Sequence, residues 1–177
     1  MLWLRSWPAD IPPGRRYVMD DLPRLVISGH DLATGWSLPR AREQTDARGF
    51  FLVEWDIAYS LGDETAMEER AAEFPDAPFV APYKLYPVST GLPGPVWAHS
   101  NGELPGETWI SIGARDCDHF AFGMVYLPWA MVDRFLAERH AFTDPRFTDT
   151  NFSIWHRRTY AQRVRVLWKA RPVHLHW

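Results

Sequence analysis

Hydrophobic positions come along this chain in short blocks, and the spacing inside each block indicates the element it forms. Arg24-Leu-Val-Ile-Ser28 reads as a short buried strand closed by Gly29. Ser37 then precedes a run of helix formers with Pro39 near the first turn, and Gly49 leads into a second strand, FFLVEWDIAY, over 50–59. Strand, helix, strand is the pattern of a crossover unit with parallel strands. The stretch 64–74, ETAMEERAAEF, predicts a charged, exposed helix. From Pro75 to Gly106 prolines recur too often for long helices, so short edge strands and ordered loops are expected there. Strands are predicted again at 108–113 and 120–127. They are followed by an amphipathic helix from Pro128 on which Trp129, Val132, Phe135 and Leu136 share a stripe. A last helix is expected from about Asp149, then a strand in RVRVLW and an extended end, PVHLHW. No linker interrupts this order. The expectation is one α/β domain over 1–177 with a mixed sheet flanked by helices.

Composition changes this picture little. The chain has 177 residues, 46% hydrophobic and 23% charged, enough for one domain with a substantial core. Aromatic residues make up 15%, with ten tryptophans, which suits either a large aromatic core or flat surfaces for ligands. A net charge of −3 gives no global attraction to nucleic acid. Cys117 is the single cysteine, so no internal disulfide can form and a reducing, cytoplasmic setting is expected. No apolar run is long enough to span a bilayer.

The chemistry begins with an oddity. FFLV is a greasy run, yet Glu54 and Asp56 follow it two apart, and alternation in a strand sends both to one face. Buried acids need a partner. Beyond the carboxyl end of a strand in an open α/β sheet, two carboxylates suit a divalent cation holding a phosphate. An arginine partner for Glu54 and a loop cap for Asp56 would also compensate them. His174 and His176 flank Leu175 and would share a face in an extended segment, as metal ligands or as a solvated tail. Asp116-Cys117-Asp118-His119 is a rival acid triplet, or a turn between two strands; Cys117 itself reads as a small buried hydrophobe. Asp149 is either a helix N-cap or a base presented to a cleft. Arg157, Arg158, Arg163 and Arg165 form a basic cluster, either a solvated face or a phosphate-binding surface. No dinucleotide fingerprint, P-loop or nucleophile elbow is present.

The order of these blocks resembles a known family. Ser37-Leu-Pro-Arg-Ala-Arg42, a short spacer, and then GFFLVEWDIA is similar to the Ser-x-x-Arg block and Asp-x-Asp strand of nucleotide-sugar glycosyltransferases with the GT-A fold. VEWDI, Phe122-Gly-Met-Val-Tyr-Leu-Pro128, a late Asp and a terminal histidine pair also resemble small glycosyltransferase-like proteins of phages and actinobacteria. Glu54 stands where the family has its first Asp, and only residues 1–36 precede the Ser-x-x-Arg block. The resemblance implies a metal-dependent transfer of sugar from a nucleoside-diphosphate sugar, with Mn²⁺ or Mg²⁺ as cofactor. It places Asp56, His174 and His176 at the metal, and Glu54 and Arg40 toward the donor. Trp97 and Tyr83 would stack a sugar or base, and Asp149 or Asp118 would serve as general base. It implies a short N-terminal nucleotide-binding part and an acceptor side from about residue 107. The acceptor could be a protein, a glycan, a small molecule or a modified nucleic-acid base. Two other readings stand beside it: a non-catalytic sugar- or protein-binding module of the same fold, and a metal-dependent phosphodiester hydrolase or nuclease.

Overall fold

The computed structural model describes residues 1–7, 25–43, 45–85, 96–98 and 113–175. Its main sheet has seven strands in the order β2-β1-β3-β9-β5-β10-β8. These are β1 (Leu2–Trp7), β2 (Leu25–Ser28), β3 (Gly49–Glu54), β5 (Phe79–Val80), β8 (Asp116–Cys117), β9 (Met124–Pro128) and β10 (Val164–Val166). β1, β2 and β3 are parallel, β9 runs against β3 and β5, β10 is parallel to β5, and β8 opposes β10. The domain is therefore α/β with a mixed sheet, as the block order predicts.

β3 shows why the sheet is buried on both sides. Phe50 and Leu52 enter one core, with Trp129, Val132 and Phe135 of helix α4 (Trp129–Glu138) and Phe152 and Trp155 of α5 (Asp149–Tyr160). Phe51 and Val53 enter the other, with Ala66, Met67 and Ala71 of α3 (Leu61–Glu73). Period-two alternation with both faces apolar is what a strand sandwiched between helix layers requires. Much of the aromatic excess lies in these cores: Trp3 stacks on Phe51, and Phe135, Phe147, Phe152 and Trp155 pack ring against ring.

β2 and β3 are parallel but not neighbours, because β1 lies between them; the hexapeptide LWLRSW is a central strand that the sequence reading passed over. The segment after β2 forms α1 (Gly29–Thr34), ahead of the short helix expected from Ser37, α2 (Ser37–Arg42). Asp149 is not the cap of α5: Thr148 is, its hydroxyl accepting from Asn151 N at 3.3 Å, which leaves the Asp149 side chain at the first helical position. The strand expected at 108–113 falls almost wholly outside the described residues.

A second, four-stranded sheet has the order β4-β11-β6-β7: β4 (Ile57–Ala58), β6 (Tyr83–Leu85), β7 (Val96–Ala98) and β11 (Val173–His174). β4, β6 and β11 each continue the chain just beyond a main-sheet strand, β3, β5 and β10 respectively. The small sheet thus sits over the carboxyl ends of those strands, where open α/β sheets bind ligands.

Candidate metal and substrate site

The acid pair lies where the two sheets meet. β3 ends at Glu54, the chain turns through Trp55 and Asp56, and β4 begins at Ile57. A charge in the central strand β1 holds this turn. Arg5 is 1% exposed, and its Nη2 donates to the carbonyls of Ile57 at 2.9 Å and Trp55 at 3.2 Å, one on each side of Asp56. The Asp56 carbonyl accepts from Leu175 N at 2.7 Å, which ties the turn to β11. His174, on β11, thereby comes to rest with Nε2 3.2 Å from Asp56 Oδ2.

Glu54, Asp56 and His174 each offer one ligand atom, and these atoms all lie within 4.8 Å of one another. Two carboxylate oxygens and an imidazole nitrogen at that spacing fit a single divalent cation. Glu54 carries the electrostatic strain of the arrangement. Burial, helped by the charges of Asp149 and Asp56, pushes its carboxyl up to about 8 from 4.5. Asp149, at the first helical position of α5, thus acts electrostatically on Glu54 together with Asp56. Alternation along β3 puts Glu54 on the Phe50–Leu52 side, the side that carries α5.

Tyr83 closes the other side. Its ring stacks on His174 with centroids 5.4 Å apart, and it is 6% exposed. Burial, with the acids Glu54, Asp149 and Asp56, drives its hydroxyl well above the usual range. The ring occupies the space over Gly123, where a Cβ would fall 2.3 Å from Tyr83 Cε1. Gly123 also accepts from Glu54 N through its carbonyl at 3.0 Å. The glycine of the FG-x-x-YLP block is therefore the floor on which the tyrosine lies.

The remaining sequence candidates are placed elsewhere or fall outside the described residues. Asp118 is held by Arg163 at 2.9 Å and Arg157 at 3.3 Å, next to the edge strand β8, while Asp116 pairs with Arg165 at 3.2 Å. Much of the basic cluster thus neutralises this second acid triplet. Cys117 is fully buried, and burial, with Asp118 alongside, pushes its thiol up to about 12. Arg40 lies on α2 with its guanidinium 4.1 Å from the ring centroid of Trp36, which is 58% exposed. His176 lies outside the described residues, as does the Trp97 side chain, although Trp97 belongs to β7.

Arg5 was missed by sequence reasoning. The signal was there: an arginine at the middle of LWLRSW is a charge inside an apolar strand, the same oddity that singled out Glu54.

Among solved structures the fold is similar to A197 from STIV, with a TM-score of 0.62 and 15% identity over 100% of this chain and 87% of that one. The inositol-1-phosphate CTP transferase from T. maritima superposes at TM-score 0.46, with 11% identity over 86% of this chain and 60% of that one. UTP-bound UGPase from Acinetobacter baumannii superposes at 0.44, with 12% identity over 88% and 56%. The first of these likenesses shows a shared fold; the other two are too loose to bear on function. No family model and no curated protein sequence matches the chain.

Proposed function

We propose that the protein is a metal-dependent glycosyltransferase that moves a sugar from a nucleoside-diphosphate sugar to an acceptor hydroxyl. The observation that carries this reading is the convergence of Glu54, Asp56 and His174 within 4.8 Å at the carboxyl end of β3, with Asp149 close enough to perturb Glu54. Asp56 and His174 would hold the divalent cation, with Glu54 completing the set. When bound, such a cation offsets charge developing on the diphosphate leaving group.

The chain's own groups divide the remaining work. Asp149 is assigned to take the acceptor proton: Thr148 does the capping, Asp149 Oδ1 accepts from Thr150 N at 2.6 Å, and the carboxylate still acts electrostatically on Glu54. Asp118 is less suited to that role because two arginines engage it. Arg5 holds the acid turn in place through carbonyls on both sides of Asp56, which fixes its direction before any ligand arrives. Tyr83 presents a buried aromatic wall beside His174, suited to the apolar face of a sugar or a base.

The test is melting temperature with Mn²⁺ alone, and with Mn²⁺ plus UDP-, GDP- and TDP-sugars. The reading expects a rise that needs metal and nucleotide-sugar together. A rise with metal alone, accompanied by phosphodiester cleavage, would replace it with the hydrolase reading. Nucleotide-sugar binding with no turnover on any acceptor would replace it with the binding-module reading.

A further inference from the structure

Of the three residues in the candidate metal set, His174 alone is not an acid, and the fold fixes its ring from backbone and side chain together. β11 runs antiparallel to β4 with His174 opposite Ile57, the residue after Asp56. One residue on, Leu175 N donates to the Asp56 carbonyl at 2.7 Å, so the backbones on which the two ligands stand are bonded to each other. The imidazole stacks on the buried ring of Tyr83 at an interplanar angle of 28°, and that ring in turn lies against Gly123. His174 is itself buried, and its Nε2 meets Asp56 Oδ2 at 3.2 Å.

That separation is the one expected of neighbouring donors around a small cation. Two ligand atoms each about 2.1 Å from an ion, and roughly at right angles, stand about 3 Å apart. The donor set is therefore mixed, two carboxylate oxygens with one imidazole nitrogen. Mixed sets discriminate between cations that carboxylates alone would not separate. Mg²⁺ and Ca²⁺ are hard ions that take oxygen ligands and gain little from a nitrogen. First-row transition ions accept imidazole readily, and their affinity for such sites rises from Mn²⁺ through Co²⁺.

Resting on the metal site of the glycosyltransferase reading, we infer that His174 selects the cation: the site takes a first-row transition ion, Mn²⁺ or Co²⁺, in preference to Mg²⁺ and Ca²⁺. Glu54 and Asp56 supply charge that any divalent ion would use. The imidazole supplies the discrimination, because it occupies a ligand position with a donor that the hard ions do not favour. In the competing arrangement His174 only hydrogen-bonds Asp56, and the cation meets oxygens alone.

Calorimetric titration of the intact protein with Mn²⁺, Co²⁺, Mg²⁺ and Ca²⁺, each alone, reads the selectivity. Co²⁺ is expected to bind most tightly and Mn²⁺ next, with Mg²⁺ and Ca²⁺ weaker than Mn²⁺ by about tenfold or more. His174→Asp replaces the nitrogen with an oxygen donor and should bring Mg²⁺ to within about threefold of Mn²⁺, the melt in chelator checking that the variant folds. Pulsed electron paramagnetic resonance of the Mn²⁺-loaded wild type needs no variant: it should show coupling to an imidazole nitrogen. Mg²⁺ binding as tightly as Mn²⁺, a wild-type spectrum without nitrogen coupling, or an unchanged Mn²⁺-to-Mg²⁺ ratio in folded His174→Asp would each overturn the inference. The titrations contain no nucleotide-sugar, so the two readings fail separately. Selectivity for Mn²⁺ and Co²⁺ in a protein with no nucleotide-sugar response would support the role of His174 and remove the transferase. A nucleotide-sugar response carried equally by Mg²⁺ and Mn²⁺ would keep the transferase and overturn the role of His174.

Discussion

The ring of Tyr83 rests on Gly123 so closely that no side chain fits between them: a Cβ at 123 would stand 2.3 Å from Cε1 and 2.6 Å from Cδ1. Through this contact the start of β9 sets the position of Tyr83, and through Tyr83 that of His174, whose ring lies 5.4 Å away. The clash involves the rigid ring of a buried side chain, which has little room to retreat.

Gly123→Ala is accordingly expected to destabilise the fold by about 1–3 kcal/mol, the usual cost of overpacking a filled site. It should also weaken the metal response by displacing Tyr83 against His174. Denaturant unfolding and Mn²⁺-dependent melting check the two effects; an unchanged midpoint together with an unchanged metal response would show that the ring moves freely.

Asp56→Ala removes the carboxylate nearest His174 and should leave the fold standing, because the turn is tied down by its backbone carbonyls. The expected result is a cooperative melt as in the wild type, with the rise from Mn²⁺ plus nucleotide-sugar abolished. Persistence of that metal-dependent rise would remove Asp56 from the site.

Arg5→Met tests the turn from beneath. The substitution keeps an unbranched stem but leaves the carbonyls of Trp55 and Ile57 without this buried donor. A loss of about 2–4 kcal/mol is expected, since two buried acceptors lose a charged partner. Arg5→Lys should recover only part of it, because an ammonium cannot reproduce the guanidinium fork. The chemical-denaturation midpoint reads both.

Acidity gives a signature with a definite sign. Glu54 holds its proton up to about 8 in the folded chain, against 4.5 when unfolded. The folded state therefore binds more protons between those values, so metal-free stability is full below about 4.5 and declines as pH rises toward 8. His156, buried and neutral, has the opposite sign: burial, with Arg157 nearby, lowers it to about 4 from 6.5, so its contribution is lost as pH falls through that interval. The window from 6.5 to 8 belongs to Glu54 without opposition from His156. In that window Glu54→Gln should flatten the decline. Wild-type Mn²⁺ affinity should rise with pH there, because the cation displaces a proton. A flat pH profile in the wild type would exclude the shifted carboxyl.

Metal removal offers a simpler check. If Glu54, Asp56 and His174 share a cation, saturating Mn²⁺ at about 100 times its dissociation constant should stabilise the fold by about 2.7 kcal/mol, and a chelator should reverse this. His174→Ala should abolish the rise; the melt recorded in chelator measures separately what its stacking on Tyr83 and its 3.2 Å contact with Asp56 contribute.

Local pattern determined a good deal. The all-apolar face-to-face alternation of Phe50 to Val53 already demanded a strand between two helix layers, and the two acids after it already marked the end of burial. The stripe on α4 and the start of α5 were readable because helical periodicity and flanking prolines are properties of adjacent residues. What adjacent residues cannot express is which distant segments meet. Only the tertiary structure put β1 between β2 and β3, because strand order depends on how crossovers pack rather than on any strand's own composition. The same holds for the site. Arg5 and Ile57 are 52 positions apart, and Glu54 and Asp149 are further apart still. Sequence could name Asp56, His174 and Asp149 as chemically able. The fold brought Asp56 and Glu54 together with His174 while Asp118 went to its arginines, because convergence is set by where strands end and not by what they contain.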